Sequence, residues 1–331
     1  MARRRVHVAV AAGALAGLGL GIALVAWFGA SAVLKSLEAI GWRGLGAIIA
    51  VHLFQMALCG LGWWVLLPDE CRVGILTATA ARLLRDAGSE LLPISPAGGA
   101  VIGARGLVLA HMPFAIAFAT SVVDITLELF GQLLFTALGV ALLLRGGWGP
   151  KIGETALIGL GVGLAAAIGF VLAQRAGMFL LLEGLTNRIA RHELGQETGR
   201  VHDAIAACYR RGRANLWGFL WHLAAWFTSV AEAWVAIAFL GAHLTLPRIV
   251  VLESLIYALR SAAFFVPSGW GVQEGGYVVL GALVGLPPDM ALAVSLAKRA
   301  RELAIGLPVL AIWQALEARL LRRGGSTSAS V

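Results

Sequence analysis

A single carboxylate, Glu274, sits in the apolar stretch 264–285 (FFVPSGWGVQEGGYVVLGALVG), surrounded by Pro267, Gly269, Gly271, Gly275 and Gly276. Proline removes a backbone donor and glycine adds backbone freedom, so one regular spanning helix is costly here. In lipid, irregular backbone survives only where protein buries it or water reaches it. The stretch therefore predicts a re-entrant hairpin beside a polar site, with Glu274 at the break. A kinked helix with a snorkelling glutamate is the competing reading. A second broken apolar segment, 91–109, carries Pro96, Gly98 and Gly99 and ends near Arg105.

Two further sets of residues have spacing suited to chemistry. Thr120, Asp124, Glu128 and Gln132 recur every four residues and so share one helix face. Two carboxylates in lipid must face protein or a wet cavity. Proton coupling is one use of Asp124 and Glu128; an ion pair with the basic cluster further along the chain is the other. That cluster is Lys298, Arg299, Arg301 and Glu302, in which helical spacing puts Lys298, Arg301 and Glu302 on one side and Arg299 elsewhere. A guanidinium binds phosphate in a fork, so Arg105 and Arg301, with Lys298, are candidates to hold a lipid headgroup. Pairing with Asp124, Glu128 or Glu274 is the alternative. Glu232 is one more intramembrane acid, suited to charge balance or proton coupling. His222, and His52 with Gln55, read as hydrogen-bonding packing residues, and Arg260 follows Glu253 by two helical turns.

Other chemistries lack their residues. No HxxxH, HxxE or CxxC spacing occurs, so no metal is predicted. The glycines of 269–276 imitate a nucleotide loop without the strand and βαβ context it requires. No activated nucleophile is visible, so no catalytic residue and no cofactor are predicted. Cys59, Cys71 and Cys208 read as small apolar side chains outside any disulfide framework.

The elements that must position these residues are membrane helices. Hydrophobic residues make up 59 % of the 331-residue chain and charged residues 13 %, with a mean hydropathy of +0.85. This predicts an all-α polytopic membrane protein. The net charge of +8 clusters between apolar spans, which indicates positive-inside orientation rather than a nucleic-acid partner. Spans are predicted at about 8–28, 44–67, 114–144, 155–173, 216–240 and 290–316. The first exceeds a signal-peptide core, despite the peptidase-like Ala30-Ser31-Ala32, and is expected to remain uncleaved. The arginine-rich region 177–213 reads as an interfacial or cytoplasmic amphipathic helix, as does 74–90. Sixteen of the 26 basic residues, Arg82 and Arg85 among them, fall on the side of the N-terminus and five on the other. Both termini are then cytoplasmic, with six crossings. Residues 1–150 and 151–323 form two inverted halves, each with two spans, a re-entrant segment and a third span, followed by a disordered tail at 324–331. Inverted halves with paired interruptions are a transporter pattern.

The motifs LPISPAGGAVIGAR (92–105), VPSGWGVQEGG (266–276) and LAKRARELAIGLPVLAIW (296–313) resemble the lysylphosphatidylglycerol synthase transmembrane-region superfamily. The nearest likeness is to its hopanoid-biosynthesis-associated membrane protein branch. The resemblance implies a flippase-like fold with re-entrant helices in a bacterial inner membrane. It carries over no aminoacyl-transfer activity, since that domain of the larger relatives is absent. Ala100 stands where an acid often follows the first glycine pair of the family, so any acid role there is missing or moved.

The reading that follows is a lipid flippase moving or presenting an amphipathic lipid, a hopanoid or an anionic or zwitterionic phospholipid. Arg105, Lys298 and Arg301 attract the head, while Glu274, Asp124, Glu128 and Glu232 balance charge. A non-transporting scaffold for lipid synthesis is the main alternative, and an intramembrane lipid transferase the lesser one. A homodimer and lipid-biosynthesis enzymes are the compatible protein partners.

Overall fold

The computed structural model describes residues 30–92, 96–148, 150–176, 194–263, 266 and 269–327. Among these are ten α-helices, one 3-10 turn (Asp69–Cys71) and no strand. The predicted span at 8–28, residues 177–193 and Pro267 lie outside the described residues.

The helix α1 (Ala30–Trp64) is bent at Gly41, whose φ of 54° suits a residue without Cβ. α2 (Ile75–Leu91), which ends on an extended Leu92, and α3 (Pro96–Leu109) pack side by side. α4 (Phe114–Gly146) ends on Gly147 in the left-handed conformation, φ 67°, whose N–H reaches the carbonyls of Leu143 and Leu144. Then come α5 (Pro150–Arg175), α6 (Leu194–Arg210) and α7 (Gly212–Phe239). α8 (Leu246–Ala262) and α9 (Val272–Val284) form a second pair of short helices around a break, followed by α10 (Pro288–Thr327).

Both predicted interruptions are therefore present, but they are shorter than the glycines suggested. Gly98 and Gly99 lie inside α3, and Glu274, Gly275 and Gly276 lie inside the first turn or two of α9. The reason is visible at Gly271, φ 78°, which starts α9: its N–H donates to Glu274 Oε2 at 2.7 Å, so the acid caps its own helix. α10 likewise continues to Thr327, four residues into the expected tail.

Four described helices are long and apolar enough to cross a membrane: 38–64, 114–146, 151–175 and 212–239. They match four predicted spans. α10 contains the sixth predicted span and is long, but Lys298, Arg299, Arg301 and Glu302 interrupt its apolar run.

Neighbouring helices follow a regular scheme. α1 packs on α7; α1 packs on α10 as α7 packs on α4; α2 packs on α10 as α8 packs on α4. The largest core joins α4, α7, α8, α9 and α10 through Phe135, Ile237, Leu252, Tyr277 and Ala293. α6, predicted as an interfacial helix, lays Val201, Ile205 and Cys208 against Leu66, Ala119 and Val123.

The first short pair is close-packed. A Cβ at Gly103 would lie 2.6 Å from Arg85 Cβ, and one at Gly99 would lie 2.9 Å from the Arg85 carbonyl oxygen. Small residues at such crossings allow helices in lipid to approach. Gly103→Val is expected to destabilise the protein by about 1–3 kcal/mol through overpacking, read as a lowered thermal midpoint in detergent.

Burial also pushes the Cys208 thiol up to about 11, with Arg211 opposing weakly. An unfolded cysteine ionises near ~8.5, so the folded chain holds this proton more tightly. Stability from this group is full below ~pH 8.5 and falls as pH rises from there towards 11. At pH 8, maleimide labelling of Cys208 is expected to be about a hundredfold slower in folded than in denatured protein, by mass spectrometry.

Candidate functional site

The polar face predicted on α4 exists, and each of its residues meets a partner from another helix. The Trp63 indole donates to Thr120 at 3.2 Å. Arg85 donates to Asp124 Oδ2 at 2.6 Å, and His222 Nε2 lies 2.7 Å from Asp124 Oδ1. Arg82 donates through both terminal nitrogens to Glu128, each at 2.6 Å, and Arg85 also donates to Glu128. Gln132 donates to Ser261 Oγ at 2.6 Å.

These partners correct the sequence reading. Asp124 and Glu128 pair with Arg82 and Arg85 of α2, not with the basic cluster of α10. Arg82 and Arg85 are 3 % and 4 % exposed, so neither is a cytoplasmic surface charge. Their helix is amphipathic because α2 turns both arginines, with Ala78, Ala81 and Leu84, towards protein. His222 is 1 % exposed and, in keeping with its reading as a hydrogen-bonding packing residue, its Nε2 meets Asp124.

The cluster on α10 is distributed over several helices. The Lys298 ammonium and the Tyr277 hydroxyl both donate to Glu253. Arg301 Nε lies 3.2 Å from Glu232 Oε1, and Arg301 Nη1 lies 2.9 Å from His52 Nε2. Arg299, which helical spacing set apart, is the residue that meets Glu274: its Nε donates at 2.9 Å and its Nη1 donates to Glu302 at 2.8 Å. The Trp270 ring lies 5.0 Å from the Arg299 guanidinium. Arg260 does not pair with Glu253; it donates to both oxygens of Glu90, at 2.6 and 2.8 Å, and so ties α8 to α2. Arg105 is not brought into this network. It pairs with Glu317 at 2.6 Å, and its side chain is 42 % exposed.

These ion pairs involve eight carboxylates (Asp86, Glu90, Asp124, Glu128, Glu232, Glu253, Glu274, Glu302), six arginine or lysine cations (Arg82, Arg85, Arg260, Lys298, Arg299, Arg301) and two histidines, linked into one network with the Glu253–Lys298 pair beside it. It is neutral only when two protons are added, on the histidines or on carboxylates. Donor atoms of Cys59, Glu128 and His222 come within 4.8 Å of one another. Two guanidinium groups already bind that Glu128 and Asp124 takes His222 Nε2, so the trio reads as part of the ion-pair network and not as a cation site.

The two halves carry this chemistry in register. Arg82 lies fourteen residues before Pro96, and Glu253 fourteen before Pro267. Asp124 lies ten residues after the start of α4, and Lys298 ten after the start of α10; Ser121 and Ser295 each lie seven after. Arg82 comes within 3.5 Å of Asp124, and Lys298 bonds Glu253. One pair of positions therefore carries an ion pair in each half, with the signs exchanged.

A buried ion pair that loses one partner leaves an uncompensated charge, at a cost of about 3–5 kcal/mol. Lys298→Met is expected to destabilise by that amount. The double variant Glu253→Gln/Lys298→Met is expected to recover more than half of the loss in thermal unfolding, because no lone carboxylate remains.

Comparison with known proteins adds a family. The profile described as Lysylphosphatidylglycerol synthase TM region matches residues 14–309. No curated protein matches the chain. No solved structure matches it.

Proposed function

The chain belongs to the lysylphosphatidylglycerol synthase TM region family, and from that premise we propose that it moves an amphipathic lipid between the leaflets of a bacterial inner membrane. The observation that carries the reading is the pair of short-helix hairpins whose buried faces meet in one ion-pair network.

α2, α3, α8 and α9 have 17, 14, 17 and 13 residues. At 1.5 Å per residue they reach about 20–26 Å, less than the roughly 30 Å hydrocarbon core. Each pair therefore suits a re-entrant hairpin that enters and leaves on one side. The exchange of α1, α2, α3, α4 for α7, α8, α9, α10 returns the same set of packing neighbours, as an inverted repeat requires. With six crossings the hairpins open to opposite sides. Removing Arg82 and Arg85 from the surface count leaves the basic excess on the side of Arg72, Arg200, Arg210, Arg211 and Arg213, which supports cytoplasmic termini.

An interrupted-helix site at the middle of an inverted repeat suits a substrate that crosses by rocking of the halves. Its charges suit a phosphate-bearing headgroup, with Arg301 and Arg299 as forks and Glu232, Glu274 and Glu302 as the acids displaced. A hopanoid with a polar head is the other lipid class in keeping with the family branch. That every carboxylate here has a cation within 4 Å favours one second reading: charges that lock helices together also suit a scaffold that gathers lipid-synthesis enzymes.

The test is leaflet exchange in proteoliposomes, with fluorescent phospholipid and hopanoid probes in separate runs. Wild-type protein is expected to exceed empty vesicles, and folded Glu274→Gln and Arg299→Ala to fall by about tenfold or more, equivalent to about 1.4 kcal/mol. Exchange no faster than in empty vesicles would favour the scaffold.

A further inference from the structure

His52 on α1 is 6 % exposed and lines a small cavity with Asp86, Glu90, Arg301 and Glu302. The cavity holds about 10 Å³, room for about one water and not for a phosphate. Charged groups reach the ring from three helices. From α2, Asp86 Oδ2 lies 3.9 Å from Nε2; from α7, Glu232 Oε2 lies 3.6 Å from Nδ1; from α10, Arg301 Nη1 lies 2.9 Å from Nε2. Behind them, Arg82 stands 3.8 Å from Asp86, and Glu302 stands 3.9 Å from Arg301. α4 gives its two acids to Arg82, Arg85 and His222 instead.

A guanidinium has donors only. Nε2 of His52 must therefore accept from Arg301, which leaves the ring neutral with its proton on Nδ1, towards Glu232. Adding a proton at Nε2 turns that acceptor into a donor and sets two cations in contact. The bond to Arg301 is then lost. The protonated ring keeps two acids beside it: Glu232 at Nδ1 and Asp86 at Nε2. Asp86 is free to respond, since its side chain is 29 % exposed and its nearest cation is 3.8 Å away.

We infer that His52 is a proton switch: taking a proton from water at Nε2, it releases Arg301, whose guanidinium then binds the phosphate of a headgroup entering between α1, α2 and α10. The ligand rests on the lipid reading above; the switch rests on the geometry of the ring. When the headgroup leaves, Nε2 returns its proton to water and Arg301 bonds the ring again. The small cavity is the closed form of this cycle, with Arg301 held against α1 and α7.

The test uses the purified full chain in detergent between pH 5 and 8, the window in which histidine chemistry operates. Dihexanoyl phosphatidylglycerol and chain-free glycerophosphoglycerol, both phosphodiesters that keep one charge across this window, are titrated separately. Wild-type affinity is expected to weaken as pH rises, by about tenfold per unit on the alkaline limb for one linked proton, while His52→Gln gives a flat profile. Tighter binding of the lipid identifies a membrane headgroup as the ligand, and equal binding identifies free phosphate. An equal slope in wild type and His52→Gln overturns the switch. Should His52→Gln lose its monodisperse peak, His52→Asn replaces it. Independently of any ligand, ¹⁵N-histidine spectra of the wild type are expected to show the Nδ1–H tautomer of His52 at pH 8. The Nε2–H tautomer there would overturn the inference whatever the lipid does. Absence of binding at every pH, with the expected tautomer and its titration present, would overturn the lipid ligand and leave the ring switch standing.

Discussion

The constraint on which the rest of this protein depends is the cost of a lone charge away from water. Eight carboxylates and six cations lie at the meeting of seven helices, α1, α2, α4, α7, α8, α9 and α10, all of them in one linked network except the Glu253–Lys298 pair beside it. An unpaired ion in such surroundings costs several kcal/mol, while a pair of good geometry roughly offsets its own desolvation. These charges therefore contribute less to stability than to specificity. Each pair has only one arrangement of helices that satisfies it. Arg82 reaches Glu128 with both nitrogens only if its face of α2 is turned to the polar face of α4, and Arg260 reaches both oxygens of Glu90 only if the ends of α8 and α2 face one another.

The exchange of signs between the halves follows from the same constraint. In the inverted-repeat arrangement proposed above, equivalent positions lie about a common centre, where identical charges would oppose one another. With Arg82 against Asp124 in one half and Glu253 against Lys298 in the other, this pair of positions is neutral in each half by itself. The hairpin position of the pair is then cationic in the first half (Arg82) and anionic in the second (Glu253). Arg260–Glu90, running between the hairpins, joins the halves by the same kind of bond. Opposite signs thus hold the repeats together where equal ones would force them apart.

Much of this arrangement was legible in the chain, and the limits are physical. Proline and glycine in apolar runs announced both interruptions, since few residues serve that backbone. The four-residue spacing of Thr120, Asp124, Glu128 and Gln132 announced a buried polar face. The partners were not legible. Arg82 and Arg85 sit in a helix of low mean hydropathy, which has the same pattern whether its polar side meets water or buried acids. Arg299 was set apart by helical spacing because α10 was treated as having one functional side. It is in fact surrounded by α1, α2, α7 and α9, and Glu274 lies on the side that spacing made irrelevant. His52 carried no motif at all; its importance comes from a tautomer fixed by a neighbour 249 positions away.

A network in which every carboxylate has a cation within 4 Å opposes the motion that the proposed lipid translocation requires, yet its geometry contains a way around. Arg260 holds Glu90 and Arg299 holds Glu302, while the crossed distances, Arg260 to Glu302 and Arg299 to Glu90, are only 3.8 and 3.9 Å. The four groups form a square in which two cations can exchange two acids without any charge losing a partner. Moving α8 relative to α2 therefore need not meet the full penalty of a bare ion, only that of two lengthened pairs. His52 between Asp86, Glu232 and Arg301 offers a comparable exchange in which the moving charge is a proton. Conformational change in such a core proceeds by re-pairing, and residues with two partners at nearly bonding distance mark where it begins.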